Sequence, residues 1–165
     1  MGTFIGYYIL LLITIFIHEL GHVFGALISS YKIIRFKVGP IEYTKTGSSY
    51  KIGLSRGMFT GMVNVARPEG PLHISKELIF VSSGVAANYT FALCLVVSYY
   101  VWPQYEYKGF LMIGAIASGV MATINMIPWS NKRTGVVTDG VYIIVFFINW
   151  LAGLKKPNKS VNSQH

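Results

Sequence analysis

Charge is scarce in this sequence. Only 12% of its 165 residues are Asp, Glu, Lys or Arg, while 53% are hydrophobic. A soluble domain of this length carries roughly twice that charged fraction, so a water-facing globule is excluded. Cysteine occurs once, as Cys94, and aspartate once, as Asp139. A lone cysteine excludes an internal disulfide and a cysteine zinc cage. Lying mid-run among apolar residues, Cys94 reads as a small buried hydrophobe. The first apolar run also lacks a basic n-region and an Ala-x-Ala-like exit, and with its continuation past His22 it is too long for an h-region. It is therefore not read as a cleavable signal peptide.

What is abundant is clustered apolar sequence, over about 4–17, 78–101, 110–128 and 140–154. A bilayer's hydrocarbon core needs roughly 20 mostly apolar residues per helix. The second and third runs meet that length by themselves, the first meets it when the span is carried on through His18–His22 toward Ser29, and the fourth is short. The expected fold class is a membrane α-helical protein, with about four transmembrane helices and a short membrane-associated β region between the first and second. Net charge is +8, but its distribution speaks for a membrane surface and against a nucleic-acid partner. Eight of the fourteen Lys/Arg residues lie between the first two spans: Lys32, Arg35, Lys37, Lys45, Lys51, Arg56, Arg67 and Lys76. The positive-inside rule places that segment in the cytoplasm, with the N-terminus and the 102–109 loop outside and the 129–139 loop inside. The side of Lys155, Lys156 and Lys159 depends on whether the fourth run crosses fully.

Residues 1–154 read as one domain and 155–165 as a polar, disordered tail. Within 33–65 the pattern is that of strands. Ile41 and Tyr43, then Tyr50, Ile52 and Leu54, alternate around a Thr46–Ser49 turn, as a hairpin requires. Phe59 to Val65 can add a third strand before the Pro68/Gly70/Pro71 break. Small residues form helix faces for close packing: Gly21, Gly25 and Ser29 on the first span, and Gly114, Ser118, Ala122 and Asn125 on the third.

The chemistry concentrates at His18-Glu19-Leu20-Gly21-His22. On a helix, positions i and i+4 share a face, so both imidazoles reach one metal ion. Glu19 projects about 100° away, where it can handle a proton on a water without being a ligand. Five-residue patterns do recur by chance, but His and Glu inside a span are costly and mark function. At 1.5 Å per residue from position 4, His18 lies about 21 Å into a core of about 30 Å, nearer the cytoplasmic boundary.

Catalytic zinc normally takes three protein ligands. The remaining candidates are His73, His165, Glu42, Glu69, Glu77, Glu106 and Asp139. Asp139 opens the fourth apolar run at the depth of the two histidines; its bland alternative is a solvated helix N-cap. Asn88 lies early in the second span, and Asn125 in Asn125-Met126-Ile127-Pro128, where proline ends or kinks the third. Either amide can hydrogen-bond between helices, or hold a substrate backbone or polarise its carbonyl.

HExxH in an early span, Ser83-Gly84 with Asn88 in the next, then N-x-x-P and Asp-Gly: this order resembles the site-two protease family of intramembrane zinc metalloproteases. The likeness runs over about residues 4–150. It implies zinc held by His18, His22 and Asp139, Glu19 as general base, and Asn88 and Asn125 supporting the site. It also implies a membrane-anchored peptide or protein substrate, cleaved within a cell membrane toward the cytoplasmic side. Three features depart from the family pattern. Val85 stands where its proline follows glycine, and Trp129 to Thr138 separate Pro128 from Asp139, with Val141 after Gly140. The other classes open are a catalytically silent binding protein that keeps fold and metal, and a metal transporter.

Overall fold

The computed structural model describes residues 2–47, 49–55, 57–69, 73–102, 108–131 and 136–154. The tail 155–165 with His165, the connection holding Glu106, the basic pair Lys132–Arg133, Arg56, Ser48 of the hairpin turn, and Gly70 and Pro71 lie outside the described residues.

Three helices are long and apolar enough to cross a membrane: α1 (Gly2–Ile28), α2 (Ile74–Val101) and α3 (Lys108–Met126). The fourth, α4 (Asp139–Leu154), has 16 residues. It spans about 24 Å at 1.5 Å per residue, short of a hydrocarbon core of about 30 Å. The expectation of about four spans thus becomes three full-length helices and one short one. α3 stops at Met126, two residues before Pro128, whose ring pushes the residue before it out of the helical region.

Between α1 and α2 lies a four-stranded antiparallel sheet of β1 (Lys32–Val38), β2 (Ile41–Thr46), β3 (Ser49–Leu54) and β4 (Gly61–Ala66), in the order β3-β2-β1-β4. The expected hairpin is β2–β3, with Thr46 opposite Ser49. The expected third strand is β4. β1, which no period-2 signal had singled out, occupies the middle of the sheet. Its sequence Lys-Ile-Ile-Arg-Phe-Lys-Val breaks alternation at Ile33–Ile34, and there the pairing with β4 shifts register. Gly39, with φ +56°, makes the tight turn into β2.

The helices meet through small residues. A β-carbon at Gly21 would fall 2.7 Å from Ala87 Cβ, and one at Gly25 2.9 Å from Ser83 Cβ, so α1 and α2 approach almost backbone to backbone. Ser118 on α3 donates to the Asn88 carbonyl at 2.9 Å. Where the end of α1 meets the start of α2, Ala26, Tyr31, Phe80 and Val81 form a core on which Ile33, Val63 and Val65 of the sheet and Ile143 and Phe146 of α4 pack. Cys94 is exposed rather than buried. It lies on the outward face of α2, because the inward face is taken up by Gly84 and Asn88.

A polar knot fixes the start of α2. Glu77 is fully buried and accepts from Tyr31 at 2.9 Å and from both ends of the Arg67 guanidinium at 2.5 and 2.9 Å. Ser29 adds a bond to the Lys76 carbonyl at 2.9 Å. The end of α1 is thereby tied to the start of α2, which sets the height at which their inward faces meet.

Candidate metal centre

His18 and His22 stand one turn apart on the buried face of α1, 4% and 7% exposed. Their Nε2 atoms are 3.2 Å from each other. The carboxylate of Asp139 meets them, with Oδ2 at 3.1 Å from His18 Nε2 and 3.3 Å from His22 Nε2. Oδ2 is buried, yet among the described residues it accepts no well-aligned hydrogen bond. Three donor atoms that crowd one point without satisfying one another suit a cation placed between them. The set of two imidazoles and one carboxylate, all able to offer lone pairs, is of the kind catalytic zinc takes. Among the described residues it is the one such grouping of three.

The surroundings prepare these lone pairs. His22 Nδ1 lies 2.9 Å from the Phe80 carbonyl. A carbonyl only accepts, so Nδ1 carries the proton and Nε2 is left free for a metal. On the other ring, the Asn88 amide lies 3.3 Å from His18 Nδ1, while the amide oxygen is buried without a partner among the described residues. A half-turn of the amide satisfies both: Oδ1 then accepts from Nδ1–H, and His18 Nε2 is likewise free. Asn88, 0% exposed, thus stands behind a candidate metal-binding histidine.

Two glycines make room. A β-carbon at Gly84 would run into the His22 ring. One at Gly61, the first residue of β4, would run into the Glu19 carboxylate. Glu19 is 5% exposed, and its Oε2 is buried with no hydrogen-bond partner among the described residues. It lies beside the cluster, under the edge strand of the sheet.

Asp139 reaches the histidines by a detour. The stretch from Trp129 to Thr138, read from sequence as a long loop, contains a small hairpin of β5 (Ser130–Asn131) and β6 (Val136–Val137). It leaves the end of α3 and returns to it: Thr138 donates its N–H to the Trp129 carbonyl at 3.0 Å and its hydroxyl to the Ile127 carbonyl at 2.6 Å. The same hydroxyl accepts from Trp129 N–H at 3.0 Å. Gly140 is then pressed against the Met126–Ile127 backbone, with its would-be β-carbon 3.0 Å from the Ile127 carbonyl carbon. Asp139 is the first residue of α4 rather than a solvated cap, and its side chain is 17% exposed. Thr138 went unremarked in the sequence; its only signal there was its place directly before Asp-Gly.

The other candidate ligands go elsewhere. Glu42 is paired with Arg35 on the sheet and Glu77 with Arg67, while His73 and Glu69 are exposed. Asn125 is half-buried on α3 and hydrogen-bonds to none of the cluster among the described residues.

The sequence model of Peptidase family M50 matches residues 6–127. The chain belongs to that family. It is the site-two protease family of membrane-embedded metallopeptidases, whose helical fold the three apolar helices and the intervening sheet share. No curated protein and no solved structure matches. In this member of the M50 family the match ends at Ile127, just before the hairpin that carries the chain back to Asp139.

Proposed function

We propose that the chain is a zinc-dependent endopeptidase that cleaves membrane-embedded or membrane-anchored peptides, with the ion held by His18, His22 and Asp139. The observation that carries this reading is the buried convergence of His18 Nε2, His22 Nε2 and Asp139 Oδ2, each pair within 3.3 Å. Zinc, when bound, supplies Lewis acidity toward the scissile carbonyl and the attacking water. Glu19 takes the proton of that water and delivers it to the leaving amine. Its buried Oε2, which has no hydrogen-bond partner among the described residues, is suited to this. Phe80 and Asn88 hold the two imidazoles in the required tautomers. Asn125 remains a candidate for contact with the substrate backbone.

A helical substrate hides its carbonyls in its own hydrogen bonds and must be extended before attack. β4 supports a route. One of its edges pairs with β1, and among the described residues the other pairs with no strand. At its first residue, Gly61, it touches Glu19. An unwound segment added to that edge by β-augmentation is brought to the proton-transfer residue in extended form. The basic connection between α1 and α2 favours a cytoplasmic orientation for the sheet and for the nearby site. A single catalytic unit over residues 1–154 is part of this reading.

The test is co-expression with a membrane-anchored reporter peptide. Cleavage by the native chain and none by Glu19→Gln is the expected result; equal cleavage by Glu19→Gln overturns the mechanism.

A further inference from the structure

The sheet has two unlike faces. Register places Tyr43 beside Phe36 and Ile52, and Lys45 beside Tyr50, so these side chains share one face. Arg35, Glu42, Thr44 and Lys51 share the other. On the first face Ile41, Ile52 and Leu54 are 60%, 80% and 89% exposed, an apolar surface without protein cover. Lys45 is an anomaly there. It is the one charged residue that β2 and β3 place on that face, and its ammonium lies 5.5 Å over the Tyr50 ring.

Lys45 borders a groove of about 580 Å³ between that face and the outer side of α1. The groove's floor is apolar: Leu20, Val23 and Leu27 from α1, Ile33 and Phe36 from β1. The first three recur at i, i+3 and i+7, a stripe about 10 Å long running into the membrane from the helix end. Its rim carries two ammonium groups, Lys32 and Lys45, and the stacked phenols Tyr43 and Tyr50, whose centroids are 5.2 Å apart. Neither lysine has an ion pair among the described residues. Lys32 follows the end of α1 by four residues, at the level where a spanning helix meets the headgroups.

An apolar trough at membrane depth, closed at the headgroup end by two cations with no ion pair among the described residues, is the complement of an anionic amphiphile. We infer that this groove holds one anionic phospholipid of the surrounding bilayer, its acyl chain along Leu20, Val23 and Leu27 and its phosphate at Lys32 and Lys45. Seated there, the lipid fills the gap between α1 and the β2–β3 hairpin and anchors the sheet against the membrane. The metal cluster is on the opposite side of α1, so the site is separate from the proposed chemistry.

Native mass spectrometry of the full chain in detergent, titrated with phosphatidylglycerol or with phosphatidylcholine of the same acyl chains, tests the inference. Expected is one tightly retained phosphatidylglycerol and no comparable phosphatidylcholine adduct. A lysine near an anionic lipid surface is worth about a fivefold gain in binding. Lys32→Gln with Lys45→Gln should therefore weaken retention by about twenty-five-fold, and Lys51→Gln, on the other face of β3, should leave it unchanged. Val23→Trp, which fills the groove with both charges intact, should also weaken it. Equal retention of the two lipids, equal loss with Lys51→Gln, indifference to Val23→Trp, displacement by inorganic phosphate alone, or a dimer occupying the groove in place of lipid would each overturn the inference. Monodisperse elution of every variant separates these outcomes from failure to fold.

Discussion

The ring of His22 occupies the space that a side chain at position 84 would need: a β-carbon there would lie 2.8 Å from both Cδ2 and Cε1. Gly84 is buried in the middle of α2, where glycine costs about 1 kcal/mol of helix propensity relative to alanine. The residue is there for the approach, not for the helix. Gly84→Ala is expected to keep the fold and push the imidazole off its position. Zinc affinity, read by competition with a chromophoric chelator, should fall at least tenfold, the scale seen when a ligand's supporting contacts are disturbed. Unchanged affinity would show that His22 can be seated another way.

Asn88 acts on the other imidazole. With its amide oxygen turned to His18 Nδ1, it holds the tautomer that frees Nε2, and Ser118 holds the Asn88 backbone from the far side at 2.9 Å. Asn88→Leu removes the acceptor and should lower zinc affinity by about 10–100-fold. Asn88→Asp, which keeps an acceptor at that place, should retain most of it. If both substitutions behave alike, the amide serves helix packing and not the metal site.

Much of this was legible beforehand, for definable reasons. Helix periodicity alone puts His18 and His22 on one face, and small residues at Gly21 and Gly25 mark the face that packs. The β2–β3 hairpin declared itself by alternation. β1 did not, because a bulge breaks its period, and a central strand needs partners that only the tertiary fold supplies. The path to Asp139 was hidden for a similar reason. Ten residues between Pro128 and Asp139 look like a displacement of the proposed third ligand, yet a hairpin whose ends meet adds length without moving its endpoints. Contacts such as Gly61 with Glu19 join residues 42 positions apart, beyond the reach of any local pattern.

Thr138 closes that hairpin, so it should govern where Asp139 sits. Its side chain is nearly buried and serves the Ile127 carbonyl and the Trp129 N–H together. Thr138→Val preserves shape and leaves both backbone groups without that partner, at a cost of about 1–3 kcal/mol. Thermal unfolding in detergent should register the loss, and zinc affinity should fall along with it. Thr138→Ser, which keeps the hydroxyl, should restore both.

Tyr31 offers a pH test away from the membrane spans. Burial, helped by its bond to Glu77, pushes its phenol from 10.0 up to about 12. A folded state that holds the proton more tightly gains stability that is fully present below pH 10. That stability is lost as pH rises toward 12. Alkaline unfolding should therefore steepen across this window, and Tyr31→Phe, with no proton to lose, should show a shallower decline than the native chain. Equal slopes would mean that the phenol–carboxylate contact does not contribute to alkaline stability.

Gly61 separates the sheet's role from the metal's. It lies where β4 crosses Glu19, at the end of the strand edge proposed to receive substrate. Gly61→Val suits a strand by propensity but drives a branched side chain into the carboxylate, which is held on α1 and can yield only by rotating away. The histidines and Asp139 do not touch Gly61, so zinc affinity and thermal stability should stay close to native while reporter cleavage falls by at least about a hundredfold, the lower end of the range for a displaced general base. Loss of zinc together with activity would place the damage in the fold of the site. Retained cleavage would remove β4 from the path of the substrate and detach Glu19's position from the sheet.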